Sequence, residues 1–207
     1  MDIEVGILPR RLSGRATGVL GRAFDQDPIL TYYLGRGSRR AAAYRMFFAD
    51  VVQASLPFGH VYAATSGGQL LGVAVWKPPD AGGDSLRTRI NSQLRGLVVR
   101  ALFPRAAREL FRGFANIGSL HPSVPHWYLM FVGIEPGWQG RGLGSRLLMP
   151  VLQRADATAT LCYLETPFRG THDFYRRLGF DIASESYPFP GAPPLWTMIR
   201  KPLGSCT

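Results

Sequence analysis

A strongly apolar run followed by a glycine-rich turn limits the possible folds of this chain more than any other feature of its sequence. Trp127 to Ile134 is a run of aromatic and branched residues, long enough for a central strand buried on both faces. Glycines then occupy every second position at Gly140, Gly142 and Gly144, and an amphipathic helical pattern follows. This order aims backbone N–H groups and the positive end of a helix dipole at one point, which suits a phosphate group.

Several kinds of phosphate site, as well as a plain structural turn, are compatible with such a loop. A nucleotide-hydrolysing P-loop needs Lys before Ser or Thr, which the stretch from Gly140 to Ser145 lacks. A dinucleotide site needs GxGxxG near the start of its domain; Glu165 follows at a suitable distance, but the glycines here are spaced GxGxG. The stretch from Gln139 to Gly144 instead reads QxxGxG. The sequence therefore favours a third kind of diphosphate site.

The rest of the chain alternates predicted strands with predicted helices. Ser66-Gly67-Gly68 joins two β-rich runs, and its glycine pair suits the positive φ angles of a tight hairpin. Ser13 is placed to N-cap a first helix, which Asp27-Pro28 ends. The predicted strands are 3–8, 60–65, 69–76, 127–134, 160–166, 180–184 and 195–200, and the further helices are 39–56 and 173–178, the latter stopped by Gly179.

These elements predict one α+β domain that spans residues 1–207, as expected for a chain of this length. An Arg-rich segment from Ser85 to about Ile117 also has helical apolar spacing. We therefore predict a helical insertion at about 84–118, packed over the domain as a candidate substrate lid.

Composition and charge argue against several classes of protein. With 46% hydrophobic and 18% charged residues, the chain is expected to fold. No apolar run approaches the length of a membrane span, so neither spanning nor export is predicted. Cys162 and Cys206 give no metal or disulfide spacing, which predicts a cytoplasmic protein without a metal site. The net charge of +10 suits a polyanionic cofactor, but the arginines are scattered, so nucleic acid is not expected as a partner.

Several motifs together resemble the GCN5-related N-acetyltransferases, the GNAT family. The QxxGxG loop, the strand before it in FVGIEPGWQGRGLG and a downstream FYRRLGF carry the resemblance, which covers nearly the whole chain. The LET, FYRRLGF and PLWTMIRKP segments resemble puromycin N-acetyltransferase-like members in particular. The resemblance implies the acyl-CoA N-acyltransferase fold, with a mixed, mostly antiparallel sheet, two splayed parallel central strands and flanking helices. It also implies acetyl-CoA as the cosubstrate.

The resemblance implies where coenzyme A would lie. Its pantetheine arm would enter the gap between the splayed strands, with Gly133 as a bulge residue. Arg141, together with Arg146, would add charge-assisted contacts to the diphosphate. Thr171 stands where many relatives carry an Asn that contacts pantetheine. The residues implied in binding the cofactor are Val132, Gly133, Ile134, Gln139, Gly140, Arg141, Gly142, Leu143, Gly144, Ser145 and Thr171.

Transfer of an acetyl group from a thioester to an amine needs a neutral amine, and the departing thiolate needs a proton. Tyr175, in FYRRLGF, matches the family's tyrosine that donates to the sulfur. Glu165, in LET, matches a glutamate that draws a proton from the amine or holds the substrate, although some members use no dedicated base. The weaker candidates for a base, each beside turn residues, are His126, Glu135 and His172.

The acceptor is the least constrained part of the prediction. A strongly basic chain would repel a polycationic amine at long range, and an aromatic-rich chain could stack a flat amine. We therefore predict a small, weakly charged primary amine, with an antibiotic suggested by the resemblance, and a protein that acts as a monomer or homodimer. The alternatives are a protein or peptide N-acetyltransferase and an acyl-CoA-binding module without catalysis.

Overall fold

The computed structural model describes residues 2–34, 38–81, 116–188 and 191–204. Within these ranges the chain forms a seven-stranded sheet in the order β1-β2-β3-β4-β5-β7-β6. All neighbouring pairs are antiparallel except β4 and β5, which are parallel. The strands are β1 (Glu4–Ile7), β2 (Val61–Ser66), β3 (Gln69–Lys77), β4 (His126–Ile134), β5 (Leu161–Thr166), β6 (Asp181–Ser186) and β7 (Leu195–Arg200).

Helices cover both faces of the sheet. The alternation of side chains along β3 divides the core, since Val73 and Val75 pack on one face while Ala74 and Trp76 pack on the other. The first face is covered by α1 (Ser13–Ala23), α2 (Pro28–Leu34) and α3 (Ser38–Ser55), and the second by α4 (Leu143–Ala157) and α5 (His172–Arg176). No helix in the described ranges is long and apolar enough to cross a membrane.

The parallel strands β4 and β5 pair over only part of their length. Their ladder runs from His126 opposite Leu161 to Leu129 opposite Leu164, after which no further pairs join the two strands as described. β4 continues to Ile134 alongside β3, so its other edge is left open. This split between central parallel strands confirms the predicted mixed, mostly antiparallel fold.

A β-bulge lies near the split, but not where the sequence places it. Val75 of β3 pairs with Phe131 of β4, and Trp76 pairs with Leu129, so Met130 is the extra residue. As a result Met130 and Phe131, although consecutive, both contact the core under α1 and α3. Gly133 pairs regularly with Val73, so the expected bulge at Gly133 is wrong. The position of the bulge depends on how β3 and β4 pair, so no single residue in the sequence indicates it.

Gly133 is required for a different reason. A Cβ added there would lie 2.9 Å from the Cβ of Ala23 and 3.0 Å from a methyl group of Leu20, both on α1. The glycine therefore permits the close approach of α1 to β4. β4 is also less buried than predicted, because several of its residues after Leu129 are partly exposed along the open edge.

Two helix boundaries differ from the prediction. Ser13 is the first residue of α1 and not its N-cap, since a short 3₁₀ turn at Arg10–Leu12 leads directly into the helix. Asp27-Pro28 does not end α1, which stops at Ala23, but begins α2. The Asp27 Oδ1 atom accepts a hydrogen bond of 2.7 Å from the backbone N–H of Leu30, as an N-cap does, and Pro28 occupies the first helical position.

The hairpin is as predicted, whereas α5 ends at Arg176, two residues before the predicted end at 178. Gly67 and Gly68 have φ angles of 54° and 77° in the turn between β2 and β3. Gly179, with a φ of 87°, follows α5, and its N–H donates to the carbonyl of Arg176. The predicted insertion at 84–118 and its role as a lid fall almost entirely on residues outside the described ranges.

Candidate active site

A cavity of about 570 Å³ opens where β4 and β5 separate. One wall is the open edge of β4 after Leu129, and the other is the end of β5 with the loop that follows it. The glycine loop and the start of α4 close one end. A cavity of this volume is typical of sites that bury a ligand of cofactor size.

The glycine loop has the geometry of an anion cradle. Gly140 and Gly142 have φ angles of 74° and 75°, and a Cβ on either would meet no atom of the described residues within 4 Å. These two glycines are thus required by the turn and leave its outer surface open to a ligand. Gly142 is also the N-cap of α4, so the first N–H groups of that helix point into the same space. The loop therefore fits a diphosphate.

The third glycine serves packing. A Cβ on Gly144 would lie 3.0 Å from the ring of Phe174, so its absence lets α5 pack against the start of α4. The ring of Phe174 in turn lies 4.9 Å from that of its neighbour Tyr175. Phe174 therefore lies between the glycine loop and the tyrosine of FYRRLGF and contacts both.

The two arginines expected at the diphosphate do not line the cavity. The guanidinium of Arg141 lies 4.8 Å from the centre of the Trp138 ring, a cation–π contact at the mouth of the loop. The guanidinium of Arg146 donates to the backbone carbonyl of Ile3. Arg177, two positions after Tyr175 in FYRRLGF, does line the cavity, although the sequence analysis did not identify it as a site residue.

Tyr175 presents a phenol to the cavity. Its side chain is only 8% exposed and packs its ring against Phe180, at 5.9 Å between centres. Its hydroxyl makes no hydrogen bond to any residue in the described ranges, so a proton donor remains available to a ligand. Burial raises the pKa of Tyr175 well above its ordinary value, so the phenol stays protonated at neutral pH.

Glu165 brings a carboxyl group to the same cavity. It follows directly after the last residue of β5 that pairs with β4, and its side chain is 7% exposed. Its Oε1 atom lies 3.2 Å from the Nε2 atom of His121. Burial, and then the nearby charge of Glu165, raise the pKa of Tyr128 and of Tyr163 well above their ordinary values.

Thr171 lies on the cavity wall, but its hydroxyl is already engaged. The Oγ1 atom donates to the carbonyl of Phe168 at 2.8 Å and lies 2.9 Å from the hydroxyl oxygen of Thr166. Since Thr171 has a single hydroxyl proton, Thr166 must be the donor in their contact. Thr171 could therefore only accept a hydrogen bond from pantetheine, and its present contacts fix the turn between β5 and α5.

Three weaker candidates for a base lie away from the cavity. Glu135 is paired with Arg22, whose Nε atom donates to Oε2 at 3.0 Å. His172 is buried beneath Trp196, with 4.8 Å between ring centres. His126, at the start of β4, does not line the cavity, and its Nε2 atom lies 3.1 Å from Nδ1 of His121. Among the described residues, no group of three or more His, Cys, Asp or Glu side chains could hold a metal ion.

The structure brings together most of the residues that the sequence predicts, and adds aromatic ones. Ala23 and Phe24, at the end of α1, also line the cavity. The loop after β5 contributes Phe168, which no sequence motif identified as a site residue. The predicted residues that line the cavity are Val132, Gly133, Ile134, Gln139, Gly140, Gly142, Leu143, Gly144, Ser145, Glu165, Thr171 and Tyr175.

The point at which β4 and β5 separate, here called the fork, lies beside the glycine loop, and this arrangement defines a protein that binds an acyl-CoA thioester. Comparison with known proteins supports this class. The sequence pattern of the acetyltransferase (GNAT) family matches residues 31–180. The chain therefore belongs to this family. It is an N-acetyltransferase, and acetyl-CoA is its cosubstrate.

Individual relatives agree with the family. An uncharacterised N-acetyltransferase of Schizosaccharomyces pombe is 26% identical over 91% of this chain and 79% of its own length. The crystal structure of a histone acetyltransferase HPA2 and related acetyltransferase from Corynebacterium glutamicum is similar over 100% of both chains, with a TM-score of 0.72 and 23% identity. Arylalkylamine N-acetyltransferase 2 of Aedes aegypti matches 97% of this chain and 99% of its own, with a TM-score of 0.66 and 13% identity. Both crystal structures have the same fold as this chain.

Proposed function

We propose that this enzyme acetylates the primary amine of a small, weakly charged molecule, with Glu165 as the proton acceptor and Tyr175 as the proton donor. The observation that carries the proposal is that both side chains line the one cavity that opens at the fork of β4 and β5. The glycine loop at the end of this cavity would hold the diphosphate of acetyl-CoA. The open edge of β4, from Val132 to Ile134, would then lie along the pantetheine arm.

Acetyl-CoA supplies an acetyl thioester, whose carbon–sulfur bond breaks as the new carbon–nitrogen bond forms. The amine loses one proton in this exchange, and the sulfur gains one. Glu165 takes the proton from nitrogen. Tyr175 donates its hydroxyl proton to the sulfur, since this hydroxyl makes no hydrogen bond to another described residue. Tyr175 then regains a proton from solvent. Low exposure of both groups keeps bulk water from competing with them.

The cavity wall favours an acceptor with an aromatic or apolar body. Among the described residues that line it, Glu165 is the only acid and Arg177 the only base. A polyamine would need further carboxylates, whereas the rings offer stacking surface to a flat monoamine. The Aedes aegypti neighbour is named for arylalkylamines, which have this chemistry. The aromatic residues of the wall are Phe24, Phe131, Trp138, Phe168, Phe174 and Tyr175.

Within this class we propose an aminonucleoside of the puromycin type as the first acceptor to examine. The motif around Tyr175, FYRRLGF, and the tail that forms β7 resemble those of puromycin N-acetyltransferase-like members. Detoxification of such a compound would take place in the cytoplasm. The buried, unpaired thiol of Cys162 suits that reducing compartment.

An amine panel with a free-thiol readout tests the proposal. The enzyme is incubated with acetyl-CoA and, in turn, 2-phenylethylamine, tryptamine, puromycin, spermidine and a lysine-containing peptide, with an amine-free reaction as the blank. We expect thiol release with the aromatic monoamines or puromycin and little with spermidine. Release with the peptide alone would favour a protein acetyltransferase. Binding of acetyl-CoA without release from any amine would indicate a module that has lost catalysis.

A further inference from the structure

Glu165 and Tyr175 reach the cavity from opposite faces of the sheet. On β5, Cys162 and Leu164 pack in the core beneath α4, so the alternation of side chains turns Glu165 to the face covered by α1 and α3. Tyr175, on α5, packs in the core on the same side as α4. The cavity at the fork is lined from both faces. An acceptor amine that meets Glu165 therefore enters from the side of α1 and α3.

The bulge in β4 brings an aromatic side chain to the same face as Glu165. In a regular strand Met130 and Phe131 would point to opposite faces, but the bulge at Met130 places both against the core under α1 and α3. Phe131 lines the cavity two residues beyond the last pair of the parallel ladder, and Glu165 lines it one residue beyond that pair. The candidate base and an aromatic side chain are therefore neighbours across the fork.

Phe24, which directly follows α1, forms a two-ring surface with Phe131. The ring centres lie 5.4 Å apart and the planes cross at 80°, an edge-to-face contact. Both side chains are partly buried, and both residues line the cavity. Behind them Phe48 is fully buried, with its ring centre 5.5 Å from that of Phe24 and 5.3 Å from that of Phe131. The pair is therefore packed on one side and borders the cavity on the other.

The two rings offer an apolar surface that distinguishes an aromatic ligand from an aliphatic one. Aromatic rings prefer offset or edge-to-face contacts, and an edge-to-face pair can extend this arrangement to a third ring. An aliphatic ligand gains only the burial of apolar area at such a surface, whereas an aryl ligand also gains the ring contact. The acceptor that fits Phe24, Phe131 and Glu165 together has an aryl ring at one end and a primary amine at the other.

We propose that Phe24 and Phe131 bind the aryl ring of the acceptor and so hold its amine at Glu165, which makes this enzyme an arylalkylamine acetyltransferase. The proposal rests on the proposed function and names the residues that select its substrate. The acceptor enters the fork from the face of α1 and α3, opposite to Tyr175. Because Phe131 and Glu165 are neighbours across the fork, a short linker joins ring and amine, as in 2-phenylethylamine. The methoxyphenylalanyl group of puromycin has the same spacing between its ring and its amine.

Kinetics of Phe24→Leu and Phe131→Leu with 2-phenylethylamine and with ethylamine test the selectivity. We expect KM for 2-phenylethylamine to rise about tenfold in both variants, with KM for ethylamine and the affinity for acetyl-CoA unchanged. Phe48→Leu is the matched control, since it removes a ring of the same cluster that does not line the cavity. Its ratio of the two KM values should stay close to wild type. Equal rises for both amines, or the same change of ratio in Phe48→Leu, would refute the proposal.

A crystal structure of the wild-type enzyme with 2-phenylethanol tests the ring site without turnover and without any variant. This alcohol carries the aryl ring and the linker but has no amine to acetylate. We expect its ring to lie against Phe24 and Phe131, with the hydroxyl directed towards Glu165. A ring bound elsewhere, or no binding at all, would overturn the proposal. A wild-type enzyme that binds the alcohol on this pair but acetylates no amine would instead refute the proposed function.

Discussion

Leu129 of β4 and Leu164 of β5 form the last pair of the parallel ladder. Glu165 is the next residue of β5, and Met130, the bulged residue, is the next of β4. The carboxyl group is therefore placed at the point where the two strands part and the cavity begins. This relationship ties the candidate chemistry to the sheet itself and not to a surface loop.

The conformation of the glycine loop predicts the effect of Gly142→Ala. A positive φ costs an alanine roughly 1 kcal/mol, and the methyl group would enter the open space where the diphosphate is expected. We expect the dissociation constant of acetyl-CoA to rise about tenfold, measured by calorimetric titration. Gly59→Ala is the control, since Gly59 also has a positive φ, 72°, with open space around it. Equal affinities in the two variants would argue against the loop as the diphosphate site.

The close approach of α1 to β4 predicts that Gly133→Ala destabilises the protein. The new methyl group would overlap with Ala23 and Leu20, and relief of such a clash typically costs about 1–3 kcal/mol. Gly21 lies on α1, and a Cβ there would meet no described atom within 4 Å, so Gly21→Ala should instead stabilise the protein by up to about 1 kcal/mol. Urea unfolding measures both. A Gly133→Ala protein as stable as wild type would mean that α1 does not pack as described.

The hydroxyl of Tyr175, which makes no hydrogen bond to a described residue, predicts a specific loss in Tyr175→Phe. We expect kcat to fall by about 10²-fold while the affinity for acetyl-CoA and the melting temperature stay close to wild type, because only the proton donor is removed. Tyr187→Phe serves as the control, since that hydroxyl contacts Glu185 at the exposed end of β6. Thiol release under saturating acetyl-CoA provides the rate. Unchanged turnover in Tyr175→Phe would reject its role as donor.

The pairing of Asp156 with Arg200 predicts a pH-dependent contribution to stability. Arg200 donates to both carboxylate oxygens, at 2.7 and 2.8 Å, and the resulting hydrogen bonds lower the pKa of Asp156. A carboxyl with a lowered folded-state pKa stabilises the protein above its ordinary pKa of about 4, and this contribution is lost as the pH falls through the folded-state value. Asp156→Asn should therefore lower the free energy of unfolding by about 3 kcal/mol at pH 7.

The same difference should shrink when unfolding is measured below pH 4, as wild-type Asp156 becomes protonated. Asp173→Asn is the control: its side chain is 80% exposed and pairs with Arg176 at 3.4 Å, so its removal should change stability little at either pH. A difference between wild type and Asp156→Asn that is independent of pH would contradict the assigned pairing.

Features set by neighbouring residues could be predicted from the sequence. The Gly67-Gly68 hairpin and the Gly179 stop require positive φ angles that only a few residue types adopt readily, so they are visible locally. The signal at Asp27-Pro28 was equally local, but this pair is compatible with both the start and the end of a helix. The sequence analysis predicted an end, whereas the pair begins α2.

Features set by distant residues could not be predicted. The bulge at Met130 depends on how β3 meets β4, and the Asp156–Arg200 pair joins residues far apart in sequence. The contact of His121 with Glu165 has the same origin, since the segment before β4 carries no pattern that aims it at the end of β5. The resemblance located the loop, Glu165 and Tyr175, but gave no means to foresee the histidines behind them.

The central claim is that the fork between β4 and β5 holds acetyl-CoA with its diphosphate on the glycine loop. A crystal structure of the enzyme grown with coenzyme A tests it most directly. The account predicts diphosphate oxygens within hydrogen-bonding distance of backbone N–H groups between Gly140 and Ser145, with the sulfur next to the hydroxyl of Tyr175. Coenzyme A bound elsewhere on the molecule, with side chains filling the fork, would contradict it.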